Sequence, residues 1–207
     1  MFDNGRHGAA RGFSTIELVV VVGIITILTA ITVFSLTSGK RNYSTDDEAA
    51  KVVSLLREAY QRALAQRQTF KVEINLTRME IRLTDEGRLP GGDEVELTRA
   101  VLNEQVSLNR PAVGGTPVPL PPAPYSYNPA AFATDTDGDL VWSARFRSDG
   151  SVMDAAGNPL SATIFFAPAN FTERDANLVR AVTIFSGSGS IRAWKYDGTT
   201  FSAETRR

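Results

Sequence analysis

The chain passes through three successive patterns of apolar and polar positions. From Leu18 to Leu36 the residues read LVVVVGIITILTAITVFSL, 19 positions without a charge. Wound as a helix at about 1.5 Å per residue, this run covers most of a hydrocarbon core about 30 Å thick. From Ser44 to Gln68 the pattern becomes a stripe. Ala49, Val52, Val53, Leu56, Ala59, Tyr60, Ala63 and Leu64 recur with the period of a helix that buries one face. From Thr69 the period falls to two. Thr69–Leu76 and Met79–Leu83 alternate around a turn at Asn75–Arg78, as the half-buried strands of a hairpin do. Shorter runs predict strands at Glu94–Ala100, Val106–Asn109, Ala144–Arg147, Ala162–Ala167, Ala181–Phe185 and Ser190–Tyr196. The expected fold class is α+β: a long N-terminal helix, transmembrane in its first half and amphipathic in its second, packed on a β-rich globular head.

The junction between the two helical stretches has two readings. Thr45-Asp-Asp-Glu48 has the form of a capping box, which would start a separate helix near residue 45. The alternative is one helix running through the linker, with Gly39 as a loosened joint. Both bury the same face, with Ala59, Ala63 and Leu64 meeting the sheet of the head. Further on, Pro111–Pro129 holds seven prolines and so is no central strand. It reads as a surface loop with polyproline character, either a plain connector or a ligand for a partner's aromatic groove. Phe146-Arg-Ser-Asp-Gly150 and Phe185-Ser-Gly-Ser-Gly189 share a strand-then-turn form.

Composition narrows the chemistry more than it suggests any. Lys and Arg (22) balance Asp and Glu (23) over 207 residues, so no global field points to nucleic acid or an anionic surface. Cysteine is absent, which removes disulfides, thiolate nucleophiles and Cys-based zinc sites. The single histidine, His7, precedes the folded body, which excludes a His-based triad or imidazole metal cluster there. No cofactor is expected.

The charge at the front of the apolar run needs a reason. Glu17 lies in the first turn of that run, and a carboxylate at depth in a bilayer costs roughly 2.5–3.5 kcal/mol. At the helix start the interface and the positive end of the helix dipole reduce that cost. A second account comes from spacing: if the chain were cut after Gly12, Phe13 would carry a new α-amine, cationic near neutral pH, four residues before Glu17. An ordinary cleaved signal peptide is the competing reading, with Arg6 and Arg11 as its basic region and small residues near Ser35–Thr37 for cleavage. Against it stand the length of the run, Gly12-Phe13 before it, and Glu17 within its first turn. Arg6 and Arg11 are matched by Lys40 and Arg41, so flanking charge does not set an orientation.

Gly12-Phe-Ser-Thr-Ile-Glu-Leu18 and the apolar run after it resemble the N-terminal signature of type IV pilins and pseudopilins. The resemblance implies a leader of residues 1–12, cleavage between Gly12 and Phe13 by a prepilin peptidase, and N-methylation of Phe13. It also implies a partner for Glu17, the amine of Phe13 in an adjacent subunit. One departure is the absence of any proline before Pro90, so the kink of many major pilins is not expected. The order of helix, Phe70-Lys-Val-Glu-Ile74, Phe146-Arg-Ser-Asp-Gly150, Ile164-Phe-Phe166 and Val182-Thr-Ile-Phe-Ser-Gly187 is similar to the GspH/FimT group of minor pilins and pseudopilins. The helix stretch Leu56–Gln66 shares that likeness, which spans residues 49–195 loosely, and the proline-rich insertion is longer than the group would suggest.

Two other constellations carry candidate chemistry. Asp135, Asp137 and Asp139 alternate around Gly138 and offer oxygens for Ca²⁺, but Phe146 stands where the bidentate Glu of an EF-hand belongs; a polar turn is the alternative. Gly187-Ser-Gly-Ser190 resembles a phosphate loop only superficially and reads as a β-turn. Near the C-terminus Arg192, Trp194, Lys195, Tyr196 and Arg206-Arg207 interleave cations with aromatics, a composition suited to nucleic acid. Some minor pilins of the FimT kind are linked to DNA uptake through a basic C-terminal Gly-Arg-x-Arg motif; Gly189-Ser-Ile-Arg192 lacks one of those arginines. The alternative is a final strand with ordinary exposed charges.

The resulting expectation is a non-enzymatic subunit: leader 1–12, membrane and filament-core helix 13–38, amphipathic helix 39–69, and head 70–207 with a proline-rich loop at 111–129. The resemblance implies an inner-membrane, single-pass protein with a periplasmic head, later part of a type IV pilus or a type II secretion pseudopilus. Its partners would be other pilin or pseudopilin subunits, the prepilin peptidase and the inner-membrane assembly platform. A DNA-binding minor pilin using Arg192, Lys195 and Arg206, and a secreted protein with an ordinary signal peptide, are the alternatives.

Overall fold

The computed structural model describes residues 14–87, 94–122 and 127–204, and over residues 33–43 of its helix the backbone alone. The fold is mixed α/β, with one N-terminal apolar helix and a β-rich sheet domain. Helix α1 (Thr15–Gln66) is continuous through Gly39. The chain divides into two compact units between Lys40 and Arg41.

In the N-terminal unit, Thr15–Thr32 is a helical span long and apolar enough to cross a membrane, with a mean hydropathy of 2.3. Every large apolar residue from Ile16 to Ile31 is exposed. The second unit holds the rest of α1 and fourteen strands among the described residues. They are β1 (Phe70–Asn75), β2 (Glu80–Asp85), β3 (Val95–Val101), β4 (Val106–Ser107), β5 (Ala112–Val113), β6 (Thr116–Pro117) and β7 (Asn128–Pro129). β8 (Ala133–Thr134), β9 (Leu140–Phe146), β10 (Val152–Met153), β11 (Ala162–Pro168), β12 (Arg180–Phe185), β13 (Ser190–Tyr196) and β14 (Phe201–Ala203) follow. One sheet has the order β10-β9-β1-β2-β3, with β8 also on β9; the other has the order β14-β13-β12-β11-β4, with β7 also on β11.

The stripe on α1 meets the inner faces of both sheets in one core. Ala49, Val52, Val53, Leu56, Ala59 and Ala63 pack with Phe70, Ile74, Phe146, Ile164 and Ile184. Leu64 is a correction: it sits at the edge of the stripe and is 42% exposed, while Leu55 is buried instead. The capping box at Thr45 is a second correction. The helix runs straight through Thr45, so the backbone amides it would cap are already bonded within the helix. Glu48 pairs with Lys51 at 2.8 Å, and the Lys51 ammonium donates to the Val101 carbonyl at 2.7 Å, fastening α1 to the end of β3. Asp46 binds the guanidinium of the buried Arg180, whose Nη1 also donates to the Asn177 carbonyl at 2.8 Å. The helix stops at Arg67, which takes a left-handed φ of 55° without a glycine.

The two sheets differ on their outer faces. Alternation along β1 turns Lys71 and Glu73 outward, with Glu73 opposite Arg82 of β2. That face carries ion pairs, Lys71–Glu94 and Arg99–Glu96 at 2.7 Å and Arg145–Glu86 at 2.9 Å. In the other sheet every residue of β11 is buried, because its outer face has a cover as well. Val118, Phe165, Val179, Ala181, Trp194 and Phe201 form this second cluster.

The cover comes from the surface segment Pro111–Pro129, most of whose described residues are exposed. The segment contributes the β5–β6 pair and β7, and buries Pro111, Val118 and Pro121. Arg110 holds it by donating to the Val118 carbonyl at 2.7 Å, with its guanidinium 5.9 Å from the Phe165 ring centre. Prolines bar a central strand but not burial of the side chains between them. Residues 123–126 of the loop lie outside the described residues. β9 also starts four residues earlier than expected, at Leu140, directly behind the acidic turn.

Candidate functional site

The N-terminal helical span concentrates the unusual chemistry. The Leu18 N–H donates to the Ser14 carbonyl at 3.1 Å, so the helix is bonded from its first turn, where Glu17 sits. Glu17 is exposed and is the sole ionisable residue between Thr15 and Thr32. Beyond it the polar side chains are threonines, and each consumes its own hydroxyl. Thr26, Thr29 and Thr32 donate to the carbonyls of Val22, Ile25 and Leu28 at 2.8, 2.7 and 2.8 Å. Between Leu18 and Thr32 the surface therefore offers no unpaired hydroxyl donor to its surroundings, which suits an apolar medium, where an unmet polar group costs several kcal/mol. The sequence reading passed over these threonines, although three hydroxyls in an apolar helix have only the preceding turn to bond.

Gly12 and Phe13, the expected cleavage pair, lie outside the described residues, as do the rest of the leader and Arg206.

In the tail, Arg192 and Lys195 are both exposed on β13 but three residues apart, so they project from opposite faces of the strand. Arg192 stands opposite Thr183, and Lys195 opposite Arg180. Trp194 and Tyr196 are 6% and 5% exposed, and the Trp194 indole donates to Thr183 Oγ1 at 2.9 Å. The two aromatics that interleave with these cations, Trp194 and Tyr196, are thus core residues and offer no stacking surface beside Arg192 and Lys195.

The acidic turn is closed by its own backbone. Asp135 Oδ1 accepts the N–H groups of Asp137 and Asp139 at 2.9 and 2.8 Å, closing the turn at Gly138. Asp139 points elsewhere, accepting from Asn75 at 2.8 Å and pairing with Arg78 at 2.6 Å. Asp137 lies 3.8 Å from the same arginine. The carboxylates do not converge, and among the described residues no group of three acids or histidines is placed to hold a metal ion.

The glycines of the two strand-then-turn segments have a shared role that the sequence hinted at. Gly150 and Gly189 both take positive φ, 82° and 60°, and both turns close on Tyr60 of α1. A Cβ on Gly189 would lie 2.2 Å from a Tyr60 ring carbon.

No protein-family model matches the chain, and no curated protein or solved structure matches it.

Proposed function

We propose that the chain is a minor pilin or pseudopilin: a structural subunit, not a catalyst, processed between Gly12 and Phe13 and assembled through its apolar helix. The observation that carries this reading is the Thr15–Thr32 span, exposed along its whole length, with the hydroxyls of Thr26, Thr29 and Thr32 tied to its own backbone and one carboxylate, Glu17, in the first turn. A helix apolar all round buries itself in lipid or among other helices, because none of the described residues of its own chain covers it. In lipid it anchors the chain by a single pass, with the head on the periplasmic side of the inner membrane. In a filament, Glu17 pairs with the Phe13 amine of a neighbouring subunit, so its burial is offset only after cleavage and assembly.

The test has two parts. Mass spectrometry of the mature chain should find an N-methylated Phe13 at its start; a start near residue 38 would show an ordinary signal peptide and sink the proposal. Glu17→Ala should leave the thermal unfolding of the head unchanged and impair incorporation into filaments. Normal incorporation of that variant would count equally against it.

A further inference from the structure

The edge of β9 is left open between β8 and β10. β8 pairs with Leu140 and Val141, and β10 pairs with Arg145 and Phe146, so neither register reaches Ser143. The Leu76 N–H donates to the Leu140 carbonyl at 2.8 Å, which sets the even-numbered residues of β9 toward β1. Antiparallel pairing alternates, so odd-numbered residues turn their backbone groups to the other edge. Arg147 agrees with this parity, its N–H donating to the Ser151 carbonyl at 3.0 Å beyond β10. The N–H and C=O of Ser143 therefore face the gap.

A groove of about 420 Å³ opens there, bounded by Ala131, Ala133, Pro159 and Leu160 as well as Ser143; Asp154 also lines it, with its Oδ1 accepting the backbone N–H groups of Ala156 and Asn158. A second hollow of about 320 Å³ shares Ala155 and Ala156 with it and is lined by Arg145 and Arg147, with no carboxylate in its wall among the described residues. Arg145 is committed to Glu86 and to the Ala155 carbonyl, whereas Arg147 is exposed and makes no ion pair as close as 4 Å among the described residues, with Asp149 as a charged neighbour.

We propose that this groove binds a short extended peptide segment of a partner protein: one main-chain amide pairs with Ser143, small apolar side chains fill the groove, and an acidic side chain meets Arg147. A backbone donor and acceptor in a half-buried strand require partners, and a peptide amide supplies both in the geometry of an added strand. The span from Val141 to Arg145 is about 13 Å at about 3.3 Å per residue, and the ends of β8 and β10 take up part of it. The slot thus suits two or three residues at a chain end or a loop tip, not a long strand. The arginine-lined hollow sets the charge of the occupant. The site belongs to the head alone and stands whether or not the filament reading holds.

The test uses the full chain in detergent micelles and a fluorescein-labelled peptide, Ala-Val-Ala-Glu-Glu. Saturable binding is expected, weakened tenfold or more when the central amide is N-methylated, when both acids are replaced by lysine, or by Arg147→Glu. Ala131→Trp, at an exposed position on the groove wall, should abolish binding without changing the melting curve. Equal affinity for the N-methylated peptide would overturn the proposal, as would binding indifferent to Ala131→Trp or no saturable binding at millimolar peptide. Hydrogen exchange gives an independent check: the Ser143 amide should exchange quickly in the free chain and slow down with peptide. Protection in the free chain would mean the edge is already paired.

Discussion

Helix α1 carries two stretches of similar length whose side chains meet different surroundings. From Ile16 to Ile31 the apolar residues occupy every side and all of them are exposed. From Ala49 to Ala63 they occupy one side and are buried in the core of the head. The second stretch has a polar face because the head covers only one side of it; the first has none because nothing in the described chain covers any side. An all-round apolar surface asks for an all-round apolar environment, and that has to come from lipid or from other helices. The difference also separates two kinds of stability. The second stretch owes its helicity to packing, while the first relies on its own backbone hydrogen bonds, onto which its three threonine hydroxyls fold back.

The comparison can be broken most sharply by placing the same substitution in both regions. Gly189→Ala puts a methyl group into Tyr60 and forces a left-handed φ on alanine, so two penalties combine. Overpacking at about 1–3 kcal/mol and the conformational cost of about 1–2 kcal/mol make it the most damaging single methyl in the head. Gly23→Ala meets nothing within 4 Å on a helical backbone, and should strengthen the helix by about 0.5–1 kcal/mol. Thermal unfolding of the full chain in micelles reads both, and Tyr60→Ala in the Gly189→Ala background should restore part of the loss by removing the clash. Equal effects at the two glycines would abolish the distinction. A second pair is of comparable size. Leu56→Ala empties a position that is 0% exposed and should cost about 2–5 kcal/mol, whereas Leu28→Ala, at 58% exposed, should leave the head's unfolding unchanged.

These contrasts mark what the sequence could express. The period of the stripe predicted the burial of Val52, Leu56 and Ala59, because burial on one face writes itself into spacing; the run Ala162–Ala167 predicted a strand but not that both of its faces are buried. Strands of two residues have no period to read, so β7, β8 and β10 were invisible, and with them the gap at Ser143 that depends on where they stop. Proline content spoke for the backbone of the 111–129 segment and not for Val118, which is 1% exposed beneath it. Thr45 and Glu48 matched a cap motif that tertiary continuity of the helix overrode. Glu17 was legible for the opposite reason: one acid against a uniform apolar run stands out without knowledge of the fold.

The smallest expected effect sharpens the comparison from the side of pH. Three turns of the head are closed by aspartates that accept hydrogen bonds, and each is held below the ordinary carboxylate range. For Asp149 the Ser151 hydroxyl is the main cause, for Asp154 the Asn158 backbone N–H, and for Asp197, the most depressed, the Thr200 N–H followed by the Thr199 hydroxyl. A carboxylate whose pKa is lower folded than unfolded contributes stability that is fully present above the unfolded value, about 3.9, and is lost as pH falls through the folded one. Head stability should therefore begin to decline as pH drops toward 4 and continue to decline below it, gently, since all three groups are near the surface. Residues 18–32 contain no titratable side chain, so their hydrogen bonds carry no such dependence. Acid titration followed by hydrogen exchange should loosen peptides around Asp149, Asp154 and Asp197 while those from 18–32 stay protected in micelles. Asp197→Asn should flatten the decline most. A profile unchanged by Asp197→Asn would remove that turn as a source of the decline, and one in which the apolar stretch opens with the head would mean that the two halves of α1 share one source of stability after all.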